Sequence, residues 1–91
     1  MDFQDRLHKE AWCLLLSRGA VPESAFLPNP DGPSSPNDVK VTFGHHELWI
    51  YEDGANIKGP SIDQRFELPD FANPGELEQA VLVFLEKLLP A

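Results

Sequence analysis

In the stretch VKVTFGHHELWIYEDGANIK, residues 39–58, apolar and polar side chains alternate in three runs separated by two glycine-bearing corners. Val39, Val41 and Phe43 fall on one side, as do Leu48 and Ile50, and then Ala55 and Ile57. A period of two gives each run one buried and one exposed face. Corners this short join neighbouring strands only in antiparallel fashion, so the pattern predicts a meander whose apolar side something else must cover. Gly44-His45 suits a type II′ turn, which sets Val41 opposite Leu48 and Lys40 opposite Trp49. A turn at His45-His46 shifts that register by two and keeps the same residues inside. Asp53-Gly54 reads as a type I′ turn, setting Ile50 opposite Ile57 and Trp49 opposite Lys58. Residues 61–68 (SIDQRFEL) alternate weakly, with Ile62, Phe66 and Leu68 on one side, and read as a short fourth strand at an edge or an extended crossing segment.

Two helices supply the cover. Over residues 2–18, Phe3, Leu7, Ala11, Leu14 and Leu15 lie on one helical face, with Asp2 and Asp5 favourable at its start and Gly19 suited to end it. Its second half, from Trp12 to Leu16, is apolar on nearly every side, as if the following loop or another chain covers it. At the far end Asn73, Pro74 and Glu76 form an N-cap pattern. The stripe Leu77, Ala80, Val81, Phe84, Leu85 and Leu88 follows, with Leu82 and Val83 outside it. Between the first helix and the first strand, residues 20–38 hold five of the nine prolines, which leaves no room for a long regular element. Phe26 and Leu27 are expected to pin the start of this loop to the core, and PNPDGPSSPND to form a mobile, solvated connection.

The expected fold is therefore a small α+β single domain spanning residues 1–91. Its order is α-β-β-β-(β)-α, an antiparallel meander with the N- and C-terminal helices packed on one face. No internal repeat is evident. A chain of 91 residues allows one core and little room for a deep cleft.

The formal net charge is −8, of which residues 1–46 contribute −2 and residues 47–91 contribute −6. Such a field repels phosphates and anionic lipid and attracts basic partners, although net charge also serves solubility alone. The seven basic residues are scattered and form no stripe with interleaved aromatics, which disfavours nucleic-acid binding. No apolar run nears the ~20 residues of a membrane span. The start MDFQDRLHKE lacks a signal-peptide pattern, and a single cysteine, Cys13, excludes an intrachain disulfide; a cytoplasmic address is expected.

Residue chemistry argues against catalysis. His45, His46 and Glu47 resemble metal ligands, but adjacent strand or turn residues point apart, and His8 is the only other histidine. Cys13 sits among Trp and Leu, where a thiol is expected to be a small buried hydrophobe. No phosphate-binding glycine loop, nucleophile elbow or zincin pattern occurs. The expectation is a protein that is not an enzyme and takes no cofactor or metal. The partner-binding candidates are Trp49 and Tyr51 on the outer sheet face, with Glu47, Glu52 and Asp53 supplying negative potential. Lysines across from Trp49 could equally shield it through cation–π contact. The leading function is a small acidic module that binds a basic protein. The alternative is a homodimer formed through surplus apolar surface on Trp12, Leu16, Leu82 or Val83.

Overall fold

Five strands follow one another across a single antiparallel sheet in the computed structural model, which describes residues 3–27 and 38–89. Helix α1 spans Phe3–Ser17. The strands are β1 (Glu23–Leu27), β2 (Asp38–Phe43), β3 (His46–Tyr51), β4 (Gly54–Lys58) and β5 (Asp63–Glu67). A short 3-10 turn at Leu68–Asp70 leads to helix α2 (Pro74–Leu88). The molecule is thus a small α+β domain of the expected topology with one strand added.

The alternation sorts side chains as the sequence implies. Val39, Val41, Phe43, Leu48, Ile50, Ala55, Ile57 and Phe66 are all buried on the helix side. Leu7, Ala11 and Leu15 of α1, and Leu77, Val81 and Leu85 of α2, close over them with no exposed surface. Arg6 Nε donates to Glu78 Oε1 at 2.9 Å near the starts of both helices, and Arg18 approaches Glu86 at 3.8 Å near their ends. The two helices therefore run parallel, as an odd number of meander strands between them requires. Both helix ends are closed as the residue types suggest. Asn73 Oδ1 accepts from Glu76 N at 3.0 Å, and Gly19, at φ 83°, receives the chain after α1. There Gly19 N donates to Leu16 O and Ala20 N to Leu15 O, the paired bonds of a Schellman ending. Asp2 lies outside the described residues.

The first hairpin forms at Gly44-His45, with Val41 opposite Leu48 and Lys40 opposite Trp49. Gly44 has φ 59° and His45 does not have a positive φ, as a type II′ turn demands.

Three expectations need correction. The second hairpin turns at Glu52-Asp53, so Ile50 lies opposite Ala55 rather than Ile57, and Trp49 opposite Asn56 rather than Lys58. Gly54 does not have the positive φ of a type I′ turn. It is glycine because a Cβ there would strike the carbonyl oxygen of Phe66 on β5. The two-residue slip preserves facing, so the core is unchanged. Next, residues 20–38 are not all loop, because β1 pairs along β2 from Glu23↔Thr42 to Leu27↔Asp38. Phe26 is 60 % exposed rather than pinned in the core, and Leu27 shares the outer face with Asp38. The mobility expected of the proline-rich segment 28–37 falls outside the described residues. Finally, Cys13 is exposed, because it lies on the side of α1 away from the buried line Leu7, Ala11, Leu15.

Candidate interaction face

Neither helix packs against the outer face of the sheet, and all the residues there are set by the register. Cross-strand partners line up in rows running perpendicular to the strands. The first row is Glu23, Thr42, Glu47, Lys58 and Asp63. The middle row is Ala25, Lys40, Trp49, Asn56 and Arg65. The third is Leu27, Asp38, Tyr51, Gly54 and Glu67. Their formal charges are −2, +2 and −2, and Glu52 and Asp53 at the β3–β4 turn add −2 beside the third row. The face with its turn thus carries −4, half the net charge of −8. It is striped acid, base, acid in formal charge, and its acids are densest at the Tyr51 end, where Glu67 approaches Arg65 at 3.6 Å.

Trp49 is held rather than free. Its indole Nε1 donates to Glu47 Oε1 at 3.1 Å, and the Nζ atoms of Lys40 and Lys58 each lie 5.5 Å from its ring. Lys40 also approaches Glu47 at 4.0 Å. The ring remains half-buried, so the lysine shielding is partial. Tyr51 stacks beside it, with centroids 6.4 Å apart and planes 23° apart. Burial pushes the Tyr51 phenol above its ordinary titration range, and Asp38 adds to the rise while Arg65 opposes it. Of the five residues singled out from the sequence, the fold brings Glu47, Trp49 and Tyr51 onto one face. Glu52 and Asp53 stand exposed on the turn next to Tyr51, some five residues of strand from Glu47, or ~16 Å.

Sequence reasoning sets Asn56 beside Trp49 and Tyr51 on this face, and Arg65 and Glu67 on the side of the weak fourth strand opposite Phe66, without singling any of them out. Asn56 is only 2 % exposed although it points outward, because Trp49 and Arg65 are its direct cross-strand neighbours. Its Oδ1 has no hydrogen-bond partner among the described residues. At the Tyr51 end of the sheet, a cleft of about 360 Å³ is lined by Tyr51, Asp53, Gly54, Ala55, Arg65, Phe66, Glu67 and Pro69.

The histidines divide. His45 is exposed at its turn, whereas His46 is half-buried and stacks on Phe43, with centroids 5.5 Å apart. His46 lies on the helix side of the sheet, directly across from Phe43. His8 Nε2 lies 2.8 Å from Ser24 Oγ, with the edges of Trp12 and Phe26 against its ring. Burial lowers its pKa, against the opposing charge of Asp5. This cluster ties α1 to the sheet edge. No group of three or more metal-ligating side chains occurs among the described residues. No described helix is long and apolar enough to cross a membrane.

No protein-family model, curated protein or solved structure matches the chain, so its function is argued from this geometry alone.

Proposed function

We propose that this chain is a small acidic, non-catalytic interaction module that binds a basic protein partner through the outer face of its sheet. The observation that carries this reading is the coincidence of two features. The sheet face left uncovered by the helices bears the stacked Trp49–Tyr51 pair. It also bears half of the molecule's net negative charge, concentrated beside Tyr51. Aromatic side chains of this kind anchor interfaces, while surrounding charge raises the association rate. The lysines over Trp49 temper the reading, since a partner that engages the indole must displace them. The basic partner is accordingly expected to approach from the Tyr51 end.

The test is affinity capture from native extract at low and high salt, followed by kinetics with the purified partner. Trp49→Ala should weaken binding by about 1–2 kcal/mol, as for an interface anchor. Glu52→Lys with Asp53→Lys should slow association and flatten its salt dependence. A partner indifferent to all three substitutions would sink the proposal.

Self-association is the second reading, and one observation favours it. Leu16 and Val83 are both about half exposed, at 54 % and 48 %, on the later turns of two adjacent parallel helices. An apolar dimer through that surface should resist salt and revert to monomer with Leu16→Glu and Val83→Glu, as read by light scattering.

A further inference from the structure

We infer that Ser24 and His8 form a nucleophile–base pair, and that Ser24 accepts an acyl group from a small activated ester seated in the cleft beside it. The inference goes beyond the outer-face reading. It concerns the helix side of the sheet at its β1 edge, and it asks for one modification per chain rather than turnover.

The pair stands on position and contact. Ser24 occupies a helix-side position of β1, in a cross-strand row where β2 and β3 carry the buried Val41 and Leu48. The hydroxyl at that position meets a histidine of α1, with His8 Nε2 lying 2.8 Å from Ser24 Oγ. Both residues are half-buried, so the fold holds the contact while solvent still reaches it. Edge contacts with Trp12 and Phe26 fix the plane of the imidazole. A neutral ring with its proton on Nδ1 accepts the serine proton at Nε2, the arrangement that activates a hydroxyl for attack. Burial favours that neutral form.

A cleft of about 320 Å³ opens at this contact, lined by Asp5, His8, Lys9, Trp12, Cys13 and Ser24. That is the low end of ligand-sized cavities, room for a short acyl ester. Trp12 offers the acyl chain an apolar wall. Asp5, one turn before His8, favours the imidazolium that forms as the proton is taken. Lys9 brings positive charge to the same cleft, where a negative oxygen develops. In the step itself Ser24 Oγ bonds to the ester carbonyl carbon, and its proton passes to His8 Nε2. The carbonyl electron pair moves onto oxygen. As that pair returns, the bond to the leaving oxygen breaks, and the alcohol departs with the proton given back by His8.

The experiment treats the Cys13→Ala chain with p-nitrophenyl butyrate, the substitution removing the exposed thiol that also lines the cleft. Release of p-nitrophenolate gives the rate, and peptide mass spectrometry locates the label. The expected result is one butyryl group on Ser24 and none on the exposed Ser61. The rate should rise with pH through the titration of His8, below its ordinary 6.5, and level off above about pH 7. Asp5→Asn should move that rise to lower pH, because Asp5 is the charge that lifts His8. From β1 the ring is faced by Ser24 and Phe26, neither of them charged. His8→Gln should slow labelling of Ser24 at least about a hundredfold, with circular dichroism confirming the fold. If that variant unfolds, the pH profile of the chain with His8 intact decides. Label on lysines alone, a Ser24 rate still climbing at pH 9, or a rate unmoved by His8→Gln in a folded chain would each overturn the inference. The Ser24–His8 contact would then be a tether between β1 and α1 and nothing more, with the outer-face reading unaffected.

Discussion

Gly54 illustrates how one residue can carry a true signal for a different reason. Beside Asp53 it looks like the second half of a tight turn, yet its backbone is ordinary strand and its missing side chain clears the β5 carbonyl of Phe66. That clearance is tertiary, so no local rule could distinguish it from a turn requirement. Gly54→Ala should therefore destabilise by about 1–3 kcal/mol, the cost of overpacking. Asp53→Ala, on the exposed turn, should stay within about 0.5 kcal/mol. Urea denaturation of the two variants checks this, and a harmless Gly54→Ala would contradict the register. Asn73 is the opposite case, since its capping role follows from local chemistry and is realised at 3.0 Å to Glu76 N. Asn73→Ala should cost about 1 kcal/mol. Trp49 and Tyr51 were legible as outward-facing from parity alone. The burial of Asn56 was not, because it depends on which side chains stand across from it on two other strands.

Among elements, the β2–β3 hairpin was legible because Gly44 meets a backbone demand that few residues can satisfy. Strand β1 was not, because an edge strand needs no clean alternation. Its helix-side positions, Ser24 and Phe26, are half-buried and exposed, and the prolines around it argue for loop. What holds β1 to α1 is the cluster of His8, Ser24, Trp12 and Phe26. Desolvation depresses the folded-state pKa of His8 below its ordinary value of 6.5, so the fold favours the neutral ring. The corresponding stability is present above about pH 6.5 and is lost as the pH falls through the lower folded value, where the ring must charge. Asp5, which faces the same ring, reduces the effect without reversing it. The melting temperature of the native chain should therefore drop more steeply between pH 7 and pH 5 than that of His8→Gln, both followed by circular dichroism. Parallel pH profiles would show that the pin does not titrate.

For the molecule as a whole, one apolar layer lies between the sheet and the two helices. Ile50 is fully buried at the centre of the sheet. Ile50→Asp places a charge there at a cost that exceeds the ~5 kcal/mol typical of small domains, so the variant should be unfolded by circular dichroism. The strand order carries a further consequence, for the route by which the chain folds. Every strand pairs with its immediate successor, so the sheet can assemble from contacts close in sequence. The helices differ, since Arg6 meets Glu78 only across 72 positions. Closing so long a loop comes at an entropic cost that is best met once the sheet already holds the two ends near each other. Gly44→Ala, which strains the turn at φ 59°, should then slow folding in stopped-flow measurements. Arg6→Gln should leave the folding rate almost unchanged and speed unfolding instead, because its bond forms after the rate-limiting step. On this route the parallel helices act as a clasp, the last part to fasten and the first to let go.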